Sequence, residues 1–442
     1  RDSIETVRVV WGVWPYRDPG RLVAERIGTP TASTTITTTG GNQVYDLVID
    51  TSARIRRGEL DAAVICGAES LRTRRNDRRR GENSDYLPER DGAEPGEVFG
   101  SDRDMFSGAE RDIGVDVAAR FYAMAETALR HRLGEDITEH RQRIAGLWAR
   151  ASRVAADNPA AWSRAPVSAD EIATESASNR PVASPYPKLM TSNLNVDQGG
   201  AVIMMSVAAA EAAGIPPDRW VFPWSGVGVA DTWHADNRWA FDQSPGMQAS
   251  GSRTLELAGV GLDDCSLVDL YSCFPVAVQV AQRELGLEPA REFTITGGLT
   301  FAAGPLNCYC LLPLTRAVTL LRAAPDERAL LTGNGGVFTK HSALVLSGRP
   351  PRHGFRTDDV QAIVDALPSR PSPAARAADA TLETYTVTFD RDMQPERAIL
   401  ACLDEAGSRH WADSTDSATM QELLTTDCCD RPVRLDGTTA RL

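Results

Sequence analysis

The feature that most limits what this chain can fold into is a strand, glycine turn, helix, strand unit near its start that is echoed late in the sequence. From Ile36 the text reads I-T-T-T-G-G-N-Q-V-Y-D-L-V-I-D. A β-branched run breaks at Gly40 and Gly41 and gives way to a helical pattern with Val44, Leu47, Val48 and Ile55 on one face. The run E-L-D-A-A-V-I-C-G over 59–67 then reads as a buried strand ending at a glycine, the pattern of a parallel sheet covered on both faces. Late in the chain, G-P-L-N-C-Y-C-L-L-P-L-T-R-A-V-T-L-L-R leads to A-L-L-T-G-N-G-G, with Asn307 in the place of Asn42. Two related α/β halves are therefore expected, with Pro313 making the second helix start late or kink.

Around this repeat the chain divides further. The first half takes 1–70 and 186–212, an insertion 71–185, the second half 213–350, a linker 351–380 and a small β-rich domain 381–442. The insertion carries R-T-R-R-N-D-R-R-R over 72–80, but Asp77 and Glu82 are interspersed, so it reads as a solvated helix face; a further helix is expected over Val115 to Arg132. Residues 366–380, A-L-P-S-R-P-S-P-A-A-R-A-A-D-A, have linker composition. Beyond them Tyr385, Val387 and Phe389 alternate with Thr386 and Thr388 in the period of a strand. The opening R-D-S-I-E-T-V-R-V-V-W runs straight into a strand-like stretch without an initiator methionine, so the natural N-terminus is expected to lie upstream.

A formal net charge of -13 opposes binding to nucleic acid and no such partner is expected. No run of about 18 apolar residues or leader-like opening is found, so no membrane span is expected. The eight cysteines form neither C-x-x-C pairs nor a dense framework, and a cytoplasmic location follows as the expectation. Cys308 and Cys310 make a C-x-C without a nearby histidine or second pair to complete a metal site, and the Cys428-Cys429 pair reads as packing. No metal is expected, and no phosphate-binding glycine motif or H-E-x-x-H is present.

Four blocks in order resemble the thiolase superfamily. G-A-E-S at 67–70 is similar to its G-G-M-E-S segment, and S-N-L-N-V-D-Q-G-G-A-V-I-M-M-S from Ser192 is similar to its D-G-A-A-A strand segment. V-D-L-Y-S-C-F at 268–274 resembles the E-L-H-D-C-F or V-N-E-A-F block, and G-G-L-T-F-A-A-G-P from Gly297 resembles G-G-x-x-x-x-G-H-P. The resemblance covers residues 5–350 and is nearest to the sterol-carrier-protein-type thiolases and the mycobacterial thiolase-like proteins of type 1, whose additional C-terminal domain the tail also resembles. It implies a layered αβαβα core of two halves with a helical insertion.

In that superfamily a nucleophilic cysteine sits at a helix N-terminus, where the dipole and backbone N–H groups lower its pKa. A histidine activates it, a second cysteine moves the α-proton, and an asparagine-held water with the G-H-P histidine stabilises the oxyanion. Mapped here, the nucleophile's place falls at Thr38, or Thr37 one register earlier. Tyr271 stands for the asparagine or histidine, Gly304 for the G-H-P histidine and Gly333 for the second cysteine. A threonine hydroxyl needs a base that no mapped position supplies, so cysteine-dependent thiolysis is chemically closed.

The resemblance therefore implies an acyl-CoA or acyl-carrier thioester as ligand, in lipid metabolism, with no covalently bound cofactor. The protein would be a divergent acyltransferase, like an acetyl-CoA acetyltransferase, or the non-catalytic partner of a thiolase, dehydratase or other acyl-handling enzyme; a homo-oligomer is the other expected assembly. The candidate catalytic residues are Thr38, Tyr271 and His341. Gly41, Asn42, Cys273, Gly304, Asn307 and Gly336 would surround the ligand. The alternative for each is mundane: glycines that make tight turns, buried cysteines that act as small hydrophobes, a histidine satisfied in the core.

Overall fold

A computed structural model describes residues 4–373 and 377–442; the first three residues and positions 374–376 of the expected linker lie outside the described residues. The first sheet has the strand order Glu97–Phe99, Ser33–Thr37, Thr6–Val9, Ala62–Ser70, Asp197–Met205. The first four run parallel, and the last closes one edge antiparallel to Ala62–Ser70. The second sheet orders Phe222–Ala230, Lys340–Ser347, Arg328–Gly335 and Leu267–Asp269.

Helix Gln43–Arg56 lies between the sheets, touching Ala62–Ser70 on one side and Phe222–Ala230, Lys340–Ser347 and Arg328–Gly335 on the other. That position explains why Val44, Tyr45, Leu47, Val48, Thr51 and Ser52 are all buried, a wider apolar band than a one-sided helix needs. Helix Leu311–Ala323 shares the layer, with Pro313 in its first turn, where no backbone N–H is required. Helix Pro19–Ile27 covers the outer face of the first sheet and Pro245–Ala258 that of the second. The layers alternate αβαβα.

In the insertion, helices Ala118–Leu133 and Ile137–Asp157 bury Phe121, Met124, Leu129, Ile144 and Trp148 in the same core as the central helix. The arginine-rich stretch is the helix Leu71–Arg80, of which Asp77 alone is buried. The expected linker contains a turn of helix, Gln361–Asp365, because Val360 and Val364 at i, i+4 find cover beside Val227 and Val229.

The C-terminal strands close on themselves. Pro395–Leu403, Arg409–Ser414, Thr439–Arg441, Pro432–Asp436 and Asp379–Phe389 pair in that order, and Asp379–Phe389 pairs back to Pro395–Leu403, so the five form a small barrel with no free edge among them. Pro181–Ala183, from the insertion, joins its wall at Thr388. Arg409, fully buried, anchors the barrel to the core: its guanidinium donates to both oxygens of Glu383 at 2.7 Å and to the carbonyls of Ala235 and Asp236. Thr384 donates to the Met124 carbonyl at 2.6 Å and Thr386 to that of Ser184 at 2.9 Å.

Because a buried charge left without its partner is costly, Arg409→Met is expected to lower unfolding free energy by about 3 kcal/mol. The loss should make 377–442 the first region released by limited proteolysis. Unchanged denaturant midpoint and cleavage pattern would show that the barrel is held by other contacts.

Candidate functional site

The strand Ser33–Thr37 delivers the chain to the turn 38–42, from which helix Gln43–Arg56 departs into the middle layer. Thr38 is half-buried; its N–H donates to the Phe99 carbonyl at 2.8 Å and its hydroxyl accepts from Gln43 Nε2 at 3.1 Å. The Gly40 N–H donates to Asn307 Oδ1 at 2.9 Å, while Asn307 Nδ2 donates to the Trp11 carbonyl at 3.1 Å. One asparagine thus ties the first-half turn to the start of the second central helix. Among the described residues the Gly41 and Asn42 N–H groups meet no acceptor, so two donors remain at the positive end of the helix.

Space here is tight. A Cβ on Gly41 would overlap the Tyr271 hydroxyl and come within 2.5 Å of the Asn334 carbonyl oxygen. A Cβ on Gly333 would stand 3.1 Å from Asn42 Cα, and one on Gly335 would run into the Asn42 side chain. Tyr271 therefore reaches the turn itself, its ring edge-on to Tyr309 at 5.5 Å. Asn42 Nδ2 donates to Asp46 Oδ2 at 2.6 Å, Ser342 donates to Asp46 Oδ1, and Lys340 Nζ donates to the Thr39 carbonyl. Burial pushes Asp46 up to about 6 against the pull of Ser342, Lys340 and Asn42. It also pushes Lys340 down, with Asp46 opposing.

A cavity of about 490 Å³ opens beside this turn, lined by Asn42, Gln43, Asp46, Phe99, Trp233 and Lys340, with Asp50, Asp358 and Asp359 also on its wall. Sequence reasoning placed Asn42 here but left Asp46, Gln43 and Trp233 out. The i, i+4 step from Asn42 to Asp46 was the available signal for one of them.

Of the predicted residues Asn42 alone lines this cavity. Gly304 donates its N–H to the Asn193 carbonyl at 2.9 Å and packs on that backbone. Gly336, at φ 70°, lies against Met105 and receives the Tyr122 hydroxyl on its carbonyl at 3.2 Å. Cys273 and Cys308 are pushed up to about 12 by burial, and Cys310 well above its usual value, so all three are thiols. Cys310 donates to the Gly41 carbonyl at 3.0 Å.

His341 does not meet Thr38. It is buried at the other side of Phe338, where Nε2 lies 3.1 Å from the Phe338 carbonyl and 3.0 Å from the Ser244 hydroxyl, with Asp231 Oδ2 at 3.8 Å. Burial lowers it to about 4 despite Asp231, so the ring is neutral near pH 7. A cleft of about 10 Å³, too small for more than one water, separates it from Tyr271. Serine, histidine and aspartate stand together here, yet Ser244 bonds both partners and Asp231 does not orient His341 Nδ1, so no nucleophile is activated.

A larger cavity, about 1290 Å³, lies on the far face of the first sheet among Val9, Trp14, Val23, Val64 and Ile203. A third, of about 590 Å³, holds Cys308, Trp162 and Arg72. Neither touches Thr38, Tyr271 or His341.

Residues 359–438 match the family described as the thiolase-like protein type 1 additional C-terminal domain. No curated protein matches the chain. Among solved structures, it is similar to a monomeric SCP2-thiolase-like protein type 1 from Mycobacterium smegmatis, with 29% identity and TM-score 0.84 over 99% of this chain and 89% of that one. A fold-level likeness, at 18% identity and TM-score 0.58, covers 78% of this chain and 87% of a chain in an Ltp2-ChsH2(DUF35) aldolase.

Asp269 lies two residues before Tyr271, at the end of the strand Leu267–Asp269. Burial raises its carboxyl to about 7, although Thr294, Ile295 and Thr296 donate to Oδ2, and Oδ1 has no partner. The folded chain then keeps a proton that the unfolded chain loses above about pH 4. Its contribution is complete below that pH and is lost as pH rises towards 7. Asp269→Asn, neutral throughout, should be more stable than wild type at pH 8 by on the order of 2 kcal/mol, with the gap closing near pH 4. A pH-independent difference between the two melting curves would contradict the assignment.

Proposed function

We propose, from the premise that this chain is a thiolase-like protein with the type 1 additional C-terminal domain, that it binds an acyl thioester beside Asn42 and Lys340 without cysteine-dependent thiolysis. The observation that carries this reading is the 490 Å³ cavity at the turn before helix Gln43–Arg56. There the Asn42 N–H, without an acceptor among the described residues, and the largely buried Lys340 ammonium stand beside a space lined by no cysteine or histidine. Such donors suit a thioester carbonyl oxygen, and Trp233 offers an apolar wall to the acyl or pantetheine chain. The carboxylates of Asp50, Asp358 and Asp359 repel phosphate, so the phosphates of coenzyme A would lie beyond them.

The chemistry argues for binding over turnover. Thr38 accepts a hydrogen bond from Gln43 and has no base, and the nearby cysteines are buried thiols. A second reading, a non-catalytic subunit of an acyl-handling assembly, is favoured by the edge strand Asp197–Met205, where Ile203 is 65% exposed. The aldolase of similar fold is itself named as a two-component assembly.

Calorimetric titration with acetyl-CoA, acetoacetyl-CoA and a long-chain acyl-CoA, followed by assay of free thiol, tests both. Saturable binding without thiol release is expected, and Lys340→Met should weaken it about tenfold, the value of one charge-assisted hydrogen bond. Catalytic thiol release would overturn the non-thiolytic part. Absence of binding to any of the three would remove the thioester reading and favour the subunit reading.

A further inference from the structure

Away from that cavity, helix Ala118–Leu133 ends against the C-terminal barrel at His131, opposite the loop that follows helix Ser417–Thr425. His131 Nδ1 lies 2.8 Å from Asp427 Oδ2, and Nε2 lies 3.0 Å from Asp430 Oδ2. Cys429, 6% exposed, brings its sulfur to the same point. One ligand atom from each of His131, Asp427 and Cys429 lies within 4.8 Å of the others.

We propose that these three residues form a zinc site that joins the insertion to the C-terminal domain. An imidazole nitrogen, a carboxylate oxygen and a thiolate are a donor set that zinc takes, and the half-exposed side of His131 leaves a fourth position for water.

A second observation points the same way. A zinc-bound imidazole characteristically gives its other N–H to a carboxylate, which fixes tautomer and ring orientation. Asp430 stands at that place, 3.0 Å from Nε2. Arg130, 3.0 Å from Asp427 Oδ1, does not expel the metal, because it holds the oxygen turned away from His131. The charges also close: two on zinc and one on Arg130 oppose one each on Asp427, Asp430 and the Cys429 thiolate. Binding releases the Cys429 thiol proton and any proton on Nδ1, and nothing is oxidised or reduced.

The test uses the full chain, stripped with chelator and titrated with zinc chloride, and separately with cobalt(II). One zinc per chain, a rise in Tm and a thiolate-to-cobalt charge-transfer band in the near ultraviolet are expected. His131→Gln and Cys429→Ser should each weaken zinc binding at least 100-fold and Cys429→Ser should abolish the band. Asp430→Asn, which keeps all three ligands, should weaken it about tenfold, and Cys66→Ser should change nothing. No stoichiometric zinc in the wild-type chain, cobalt binding without the thiolate band, or undiminished zinc binding by folded Cys429→Ser would overturn the proposal.

Discussion

The turn at Gly40, Gly41 and Asn42 is pressed against the strand Arg328–Gly335 so closely that Gly41 and Gly335 have no room for a Cβ and Gly333 has little, and the two halves of the core depend on that contact. It lets helix Gln43–Arg56 lie between both sheets, and it brings Asn307 within 2.9 Å of the Gly40 N–H. Packing at interior density leaves little slack, so a side chain added at this seam would push the halves apart instead of being absorbed.

The same closeness sets the chemistry. Asp46, Lys340, His341 and Asp269 are all displaced towards their neutral forms, and in each case burial is the largest cause. Cys273, Cys308 and Cys310 are held as thiols by the same effect. A nucleophilic thiolate needs the opposite environment, cationic and open to its substrate. What remains beside the turn is a set of backbone donors and the Lys340 side chain, with Tyr271 filling space near the helix end.

The C-terminal barrel is more than an appendage. Its wall takes a strand from the insertion, and Arg409, Thr384 and Thr386 fasten it to the core through carbonyls that lie far away in the sequence. The β period at Tyr385, Val387 and Phe389 was plain in the sequence because alternation is local. Its pairing with Pro181–Ala183 was hidden, since a short proline-containing strand carries no signal of its partner.

The sequence by itself determined the strand, glycine turn and helix of the first unit and the helix and strand of its late echo, while the substitution of catalytic side chains is only what the resemblance implies. The elements follow from periodicity and turn chemistry, which act over a few residues. Only the tertiary structure decided that Asn42, Tyr271 and Asn307 converge while His341 stands apart behind Phe338, and that Asp46, Gln43, Trp233 and Lys340 line the cavity. Ladder register and helix placement settle those neighbours: Asn334 lies opposite His341 and Gly335 opposite Lys340 because two strands pair in one register. A shift of one residue would turn each side chain to the other face.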